Sequence, residues 1–424
     1  MLSTAFILFI ISQSTIAINS QENSSSRIIT KLNFITHEPL IIVQDSDFEV
    51  FPGSGTIDDP YIIEGYNFTN TGFYGVYIEG TTKFFIVRNC YFSLSYYGIV
   101  VNATSSSNTR IEQNVFWDCV VGIVNQESTL SIIEENECYD CTDGILILSS
   151  LYCEVTLNLF LNCHKGIEIL DSARTNVMHN YAGNNEYGIY VIESDLSTFK
   201  NNTCEYSKIH GILIDNSYMC EVINNTCSNN RIGIYSTSSS TMNVENNTCF
   251  DNLEGIRVIA SEASIFNNTC NSNAGGIILI GSDHEVFNNT ISENIQGMMI
   301  EASTSEIYFN NFYKNDKYAI LCLDVSEENS IHHNYFIENN IDGATQAKDD
   351  GTSNVWFEEE KEEGNYWSDC GEEHEYYIDG TAESIDLYAL NEKLEKTYSA
   401  QFHLSVLLPV LVLVYIRIRK SKIK

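Results

Sequence analysis

The chain is 424 residues long and sets 57 acidic against 22 basic side chains, a formal net charge of −35. That balance excludes nucleic acid as a partner, which needs a basic footprint, and describes a soluble, self-repelling surface. Thirteen cysteines and 24 glycines are present, and their placement carries more information than their number.

Residues 1–20 read as a secretory signal: an apolar run from Ala5 to Ile11 is followed by Thr15-Ile16-Ala17, a small-residue cleavage site. Residues 21–60 are expected to cap the fold that follows. From Gly75 to Gly297, eleven glycines recur at intervals of 21 to 24 residues, most of them followed by Ile, and Ala319 holds the slot in a twelfth unit. A fixed period of this length means one supersecondary unit stacked many times, here over residues 61–345.

Aligned on the glycines, the units become columns. One and three residues past the glycine lie apolar pairs such as Ile145 and Ile147 or Ile167 and Ile169, with Leu146, Glu168, Tyr190, Leu213, Tyr235 and Arg257 between them. In, out, in is the period of a strand. Six past the glycine a serine recurs, from Ser128 to Ser303, as suits a turn hydroxyl bonding local backbone. Eight or nine before it stands an asparagine: Asn89, Asn114, Asn136, Asn158, Asn180, Asn202, Asn225, Asn247, Asn268, Asn289, Asn311 and, last, Asn334. Stacked at a corner, these would form a ladder. Together the columns describe an all-β, single parallel β-helix of about twelve coils, spaced ~4.8 Å apart.

Cys204, Cys227, Cys249 and Cys270 share one column with Tyr91, Phe116, Phe160 and Phe336, and Cys119, Cys141 and Cys163 share another. Columns shared with aromatics are core columns, so packed free thiols are expected rather than disulfides. Asn-x-Ser/Thr sequons stand at Asn23, Asn67, Asn102, Asn201, Asn224, Asn246, Asn267 and Asn288, as glycosylation candidates. Five of them come with the repeated Asn-Asn-Thr.

Residues 346–397 should close the solenoid and lead to a transmembrane helix at 398–418. There Phe402 to Ile416 is almost wholly apolar, and Arg417, Arg419, Lys420, Lys422 and Lys424 follow it. The basic tail, 419–424, would be cytoplasmic, making this a single-pass cell-membrane protein with its solenoid outside.

The flanks of the repeat carry a family resemblance. Gly53-Ser54-Gly55-Thr56-Ile57-Asp58-Asp59-Pro60-Tyr61 and, downstream, Gly364-Asn365-Tyr366-Trp367-Ser368-Asp369 resemble the opening and closing blocks of NosD-like β-helix proteins. Ile378-Asp379-Gly380 and Asp386-Leu387-Tyr388 resemble the tail of the same family. The resemblance implies a right-handed, exported parallel β-helix, of the class also seen in carbohydrate-binding and sugar-hydrolysing proteins. The family's named member is linked to copper-site assembly, a role that membership alone does not transfer. Relatives often carry an Asp- and Gly-rich loop resembling a calcium site between the Trp block and the tail. The stretch Cys370 to Tyr377 lacks that pattern, so calcium is not expected.

Copper needs imidazole or sulfur donors converging on one point. His332-His333, Met178-His179 and Met219-Cys220 are the pairs at hand. His332 and His333, adjacent on a strand, are expected to face opposite ways. These pairs therefore read as turn and surface residues, and no metal or other cofactor is expected. Polysaccharide cleavage needs two carboxylates at a set spacing, and Glu168, Asp171 and Glu193 lie near one another on adjacent rungs. Tyr187, Tyr190 and Tyr235 would offer rings to a sugar. The reading is a membrane-anchored, non-catalytic recognition or structural module with glycans as ligands. A polysaccharide hydrolase or lyase using the three acids is the first alternative, and a NosD-like copper-site accessory protein the second. Oligomeric state is not legible.

Overall fold

The computed structural model describes residues 34–390 apart from 105–108, 344 and 372–373. Every coil lays down three short strands, as in Lys165–Leu170, Asn176–Met178 and Tyr181–Gly183. Each strand pairs in parallel with its counterparts one coil before and one coil after. Among the described residues the strands of the coils collect into three parallel sheets, and Tyr376–Tyr377 pairs antiparallel with Ile385–Asp386 beyond them. Sheet 1 holds the glycine strands and has 14 members, sheet 2 follows it with 13, and sheet 3 has 15. The solenoid is right-handed and of about 12 coils.

Side chains alternate as the columns required. Ile145, Ile147, Ile167, Ile169, Ile189 and Val191 are fully buried in a core that runs the length of the rod, with like residues paired across rungs. The glycines are fixed by that stacking. A Cβ on Gly144 would lie 2.4 Å from the Phe160 ring and 2.5 Å from the Gly166 carbonyl oxygen. All thirteen cysteines are free thiols, twelve of them buried, and Cys204, Cys227 and Cys249 stack in register through sheet 3.

Sheets 2 and 3 meet at a two-residue corner. Its first residue takes the left-handed conformation, as at Leu157, His179 and Asn201 with φ of 59°, 58° and 55°. Its second is the buried ladder asparagine. Asn158 Oδ1 accepts the backbone N–H and the Nδ2–H of Asn136, at 2.9 and 3.0 Å. Asn158 Nδ2 in turn donates to the Ile133 carbonyl and to Asn180 Oδ1, at 3.0 and 3.1 Å. The pattern continues coil after coil through Asn334 and Asn365 and ends on the Asp386 carboxylate, which accepts the Asn365 N–H at 2.7 Å. A second ladder runs from Asn230 through Asn252, Asn273, Asn294, Asn315 and Asn339 to Gln346. A third corner is served by hydroxyls from Ser128 to Ser239.

Four details depart from the sequence reading. Cys90 occupies the ladder slot and accompanies Asn89, which is the left-handed corner residue with φ 50°. Asn310, not Asn311, continues the ladder, and Phe92, not Tyr91, is the buried core ring. Coil length varies by one at these places, and counting back from a glycine does not say on which side of the corner the extra residue falls. Finally, sheet 1 strands lengthen to Glu254–Ser261, Gly275–Ser282 and Gln296–Ser303, which puts Ser261, Ser282 and Ser303 in strands instead of the turn.

Aromatic residues close both ends. Phe48, in the short 3-10 helix Asp45–Val50, stacks on Tyr61 at 5.2 Å. Trp367 lies between Phe336 and Tyr376, 4.0 Å from each ring. Its indole N–H donates to Asp386 at 2.9 Å, and that of Trp356 to Asp349 at 2.9 Å. No helix among the described residues is long and apolar enough to cross a membrane, so the single-pass placement at the cell membrane is not supported. The segments behind that expectation, 1–20 and 398–424, lie outside the described residues, as does the sequon at Asn23.

The corner separates two adjacent asparagines by function. Asn202→Ala would strip the acceptor from the Asn180 backbone N–H and Nδ2 and the donor from the Val177 carbonyl, at a cost of about 3 kcal/mol. Asn201→Gly, one residue earlier at a left-handed position, should stay within about 0.5 kcal/mol of the parent. Urea unfolding of both variants checks the contrast.

Candidate functional site

Because the interior is uniform, chemistry resides on the outward columns. On sheet 1 two of these accompany each buried pair, one just before the glycine and one between the two buried residues. They run Tyr74 and Tyr77, Tyr97 and Val100, Val121 and Val124, Asp143 and Leu146, Lys165 and Glu168, Tyr187 and Tyr190, His210 and Leu213, Ile232 and Tyr235, Glu254 and Arg257. At the N-terminal end they make an apolar cluster outside the main core, in which Val100, Val121 and Val124 are covered by Tyr74, Tyr77, Tyr97 and Leu146.

The middle of the face is polar and crowded. Lys165 Nζ sits 2.5 Å from Glu168 Oε1 and 4.7 Å from the centre of the Tyr190 ring. Glu168, an outward residue, is only 7 % exposed, because its neighbours stack over it. Asp143 pairs with Lys165 across the rung. Burial, and Glu168 beside it, push its carboxyl above the usual range. Its Oδ1 is buried without a hydrogen-bond partner, the His164 ring being 3.9 Å away. Tyr187 packs edge-on to Tyr190 at 5.0 Å and against His210 at 5.6 Å, and His210 meets Tyr235 at 5.0 Å. Burial, helped by Arg231, holds the His210 imidazole down at about 4, so it is neutral near pH 7 with Nδ1 unpartnered.

The structure thus brings Tyr187, Tyr190 and Tyr235 onto one face with Glu168. Asp171 and Glu193 fall elsewhere. Both are exposed left-handed corner residues, φ 49° and 51°, at the far end of their strands. Asp171 accepts from Ser149 Oγ at 3.2 Å, and Glu193 from Asn216 Nδ2 at 3.3 Å. The three acids therefore occupy two columns, one ion-paired and buried, one solvated.

A second constellation closes sheet 2. Its outward column carries Phe266, Phe287, Tyr308 and His332, stacked ring on ring at 4.9, 5.2 and 5.7 Å. His333 follows at the corner with φ 55°. That left-handed residue breaks the strand alternation, and the expectation that the two rings face opposite ways is overturned: their Nδ1 atoms lie 2.7 Å apart. Both are buried, at 6 % and 3 % exposure. The acidic loop Glu358–Glu363 doubles back through a Glu358–Glu363 bridge and lies against them. Glu358 Oε2 is 3.7 Å from His333 Nδ1, Glu363 Oε2 is 2.8 Å from His333 Nε2, and Glu306 Oε1 is 3.4 Å from His332 Nε2. The other donor pairs do not converge: Met219 is exposed at a left-handed turn while Cys220 is in the core, and His179 meets Asn201. Sequons Asn201, Asn224, Asn246, Asn267 and Asn288 occupy the same corner column as His333, whereas Asn67 lies in a sheet 3 strand and Asn102 ends a sheet 1 strand.

Two family models match the chain: the periplasmic copper-binding protein (NosD) over residues 180–371 and the right-handed beta helix region over residues 50–204. No curated protein matches the sequence. Among solved structures, the mannuronan C-5 epimerase A-module of Azotobacter vinelandii shares 12% identity, over 68% of this chain and 90% of its own, with a TM-score of 0.42. A DFA-IIIase from Arthrobacter chlorophenolicus, solved without its lid, shares 13% over 68% and 88%, TM-score 0.44. A surface adhesin of Streptococcus pneumoniae shares 10% over 66% and 83%, TM-score 0.37. Likeness at this level transfers no activity.

The Lys165–Glu168 pair gives a direct test of the crowded face. Lys165→Met leaves Glu168 covered and unpaired, and should lower stability by about 3 kcal/mol. Adding Glu168→Leu should restore most of that loss, read as the denaturation midpoint of single and double variants.

Proposed function

We propose that this NosD-like right-handed parallel β-helix protein is a recognition module that binds an extended neutral polysaccharide along the outer face of sheet 1. The observation that supports the reading is the contiguity of Tyr187, Tyr190, His210 and Tyr235 around the Lys165–Glu168 pair. Aromatic faces stack on the apolar faces of sugars, and a few fixed polar groups set orientation. Asp143 Oδ1, His210 Nδ1 and Arg257 Nε, each buried and unpartnered, point to polar groups that a ligand's hydroxyls would satisfy. A net charge of −35 repels polyanions, so a neutral chain is favoured over an acidic one. Parallel rungs ~4.8 Å apart give the face an even spacing along which an extended polymer can lie.

Hydrolysis or lyase chemistry finds less support. A pair of carboxylates must flank one bond, whereas Glu168 is engaged by Lys165 and the other two acids lie at the corner. Copper, named in the description of the matched family, finds less support on sheet 1, where among the described residues no three His, Cys, Asp or Glu ligand atoms converge on one point. Among the described residues the convergent donors are those at the end of sheet 2.

Retention of neutral and acidic polysaccharides in affinity electrophoresis tests the proposal. Binding to a neutral polymer is expected, weakened roughly ten-fold when Tyr190→Ala and Tyr235→Ala are combined. Unchanged retention in that variant would remove the reading. Release of new reducing ends, lost in Glu168→Gln, Asp171→Asn or Glu193→Gln, would replace it with an enzyme.

A further inference from the structure

The His332–His333 corner sets two ring nitrogens face to face, 2.7 Å apart. Ring nitrogens are told apart by their partners: a carboxylate on one nitrogen fixes the proton there and leaves the other a bare acceptor. Glu363 lies 2.8 Å from His333 Nε2, and Glu306 lies 3.4 Å from His332 Nε2. Both imidazoles are thus held from behind through Nε2, and both Nδ1 lone pairs turn toward the same point, 2.7 Å apart. Two bare nitrogens at that distance repel unless a proton or a metal cation lies between them or beside them. The third atom at the point is also an acceptor: Glu358 Oε2, 3.7 Å from His333 Nδ1.

We propose that His332 Nδ1, His333 Nδ1 and Glu358 form a binding site for a divalent first-row transition ion, with Glu363 and Glu306 as positioning residues behind the two rings. One ligand atom from each of His332, His333 and Glu358 lies within 4.8 Å of the others, close enough for all three to reach one ion at ~2.0–2.2 Å after small side-chain movements. Imidazole with carboxylate suits Cu²⁺ or Zn²⁺ and not the all-oxygen preference of Ca²⁺ or Mg²⁺. The two rings are buried and braced, His332 by Tyr308 at 5.7 Å and His333 by Phe309 at 5.1 Å. Ligand entry is from the Glu358–Glu363 loop side, where Glu358 is half-covered and held by Lys361 at 2.9 Å. This site is separate from the sheet 1 face, and either assignment stands or falls without the other.

The repeat supplies a fold-safe variant. Two coils before His332 and His333 the same two positions are Phe287 and Asn288, and three coils before they are Phe266 and Asn267. H332F/H333N therefore rewrites the corner in residues that the rod already accepts. Equilibrium dialysis of the full chain against buffered Cu²⁺ and Zn²⁺, with Ca²⁺ as a control, would count ions per chain by mass spectrometry. The expected result is one tightly held Cu²⁺ or Zn²⁺, with an affinity lowered more than 100-fold in H332F/H333N and about ten-fold or more in Glu358→Gln. Glu363→Gln should keep the stoichiometry but weaken binding ten- to a hundred-fold, as loss of a brace behind a ligand does. The Cu²⁺ resonance spectrum should show coupling to two nitrogens and lose it in H332F/H333N. Equal retention of metal by parent and H332F/H333N, or a copper spectrum without two-nitrogen coupling, would overturn the assignment and leave a shared proton as the cation in the gap.

Discussion

The rod depends on one constraint: a chain bent sharply inside a close-packed stack must satisfy the polar groups of the bend. A corner of two residues buries backbone N–H groups with no water to receive them, and an unpaired buried donor costs about 1–3 kcal/mol. From Asn114 onward the asparagine ladder resolves this, since one side chain takes up both donors of the asparagine before it and gives its own amide to the next. Because the solution at one rung requires the same residue at the next, the interior becomes repetitive. The glycine and isoleucine columns follow from the same stacking, while the sheet 3 core column admits Phe, Cys and Ala in turn.

A repetitive interior frees the exterior. The outward columns of sheet 1 change character along the rod, from the tyrosine and valine cluster to the Lys165–Glu168 pair and then to Arg257 bonded to both oxygens of Glu254. Side chains ~4.8 Å apart on neighbouring rungs cover one another, which is how Glu168 comes to be nearly buried on an outer surface. Stacking thus builds low-exposure polar environments without a cavity, and the rod carries its chemistry on shielded faces.

Much of this was legible in the primary structure because packing repeats and therefore writes itself into a period. Gly144 and Ile145 could be placed from spacing alone, and so could Asn158. What spacing does not resolve is a one-residue ambiguity at a corner, where Cys90 and Asn310 take the ladder and Asn89 and Asn311 do not. The His332–His333 pair was hidden by the same corner. Alternation along a strand would separate the rings, but the left-handed backbone at His333 turns the chain before alternation can act. Glu358 and Glu363 reach the pair through a loop with no period, so no column contains them. Asp171, three residues past Glu168, and Glu193, one coil further on, take the left-handed corner and not the outward column of Glu168.

The ladder also has a direction. Every asparagine receives from the coil before it and gives to the coil after it, so the rod is a polar chain, and an unfinished end would present two amide donors ready for another coil. In the vocabulary of polymers, Asp386 is a terminator. Its carboxylate accepts the last backbone N–H and the Trp367 indole, but it has no amide to pass on. Propagation stops chemically at that residue, not merely where the repeats run out. With both donors of Asn365 taken up, the ladder offers no free amide on which a neighbouring molecule could add a coil.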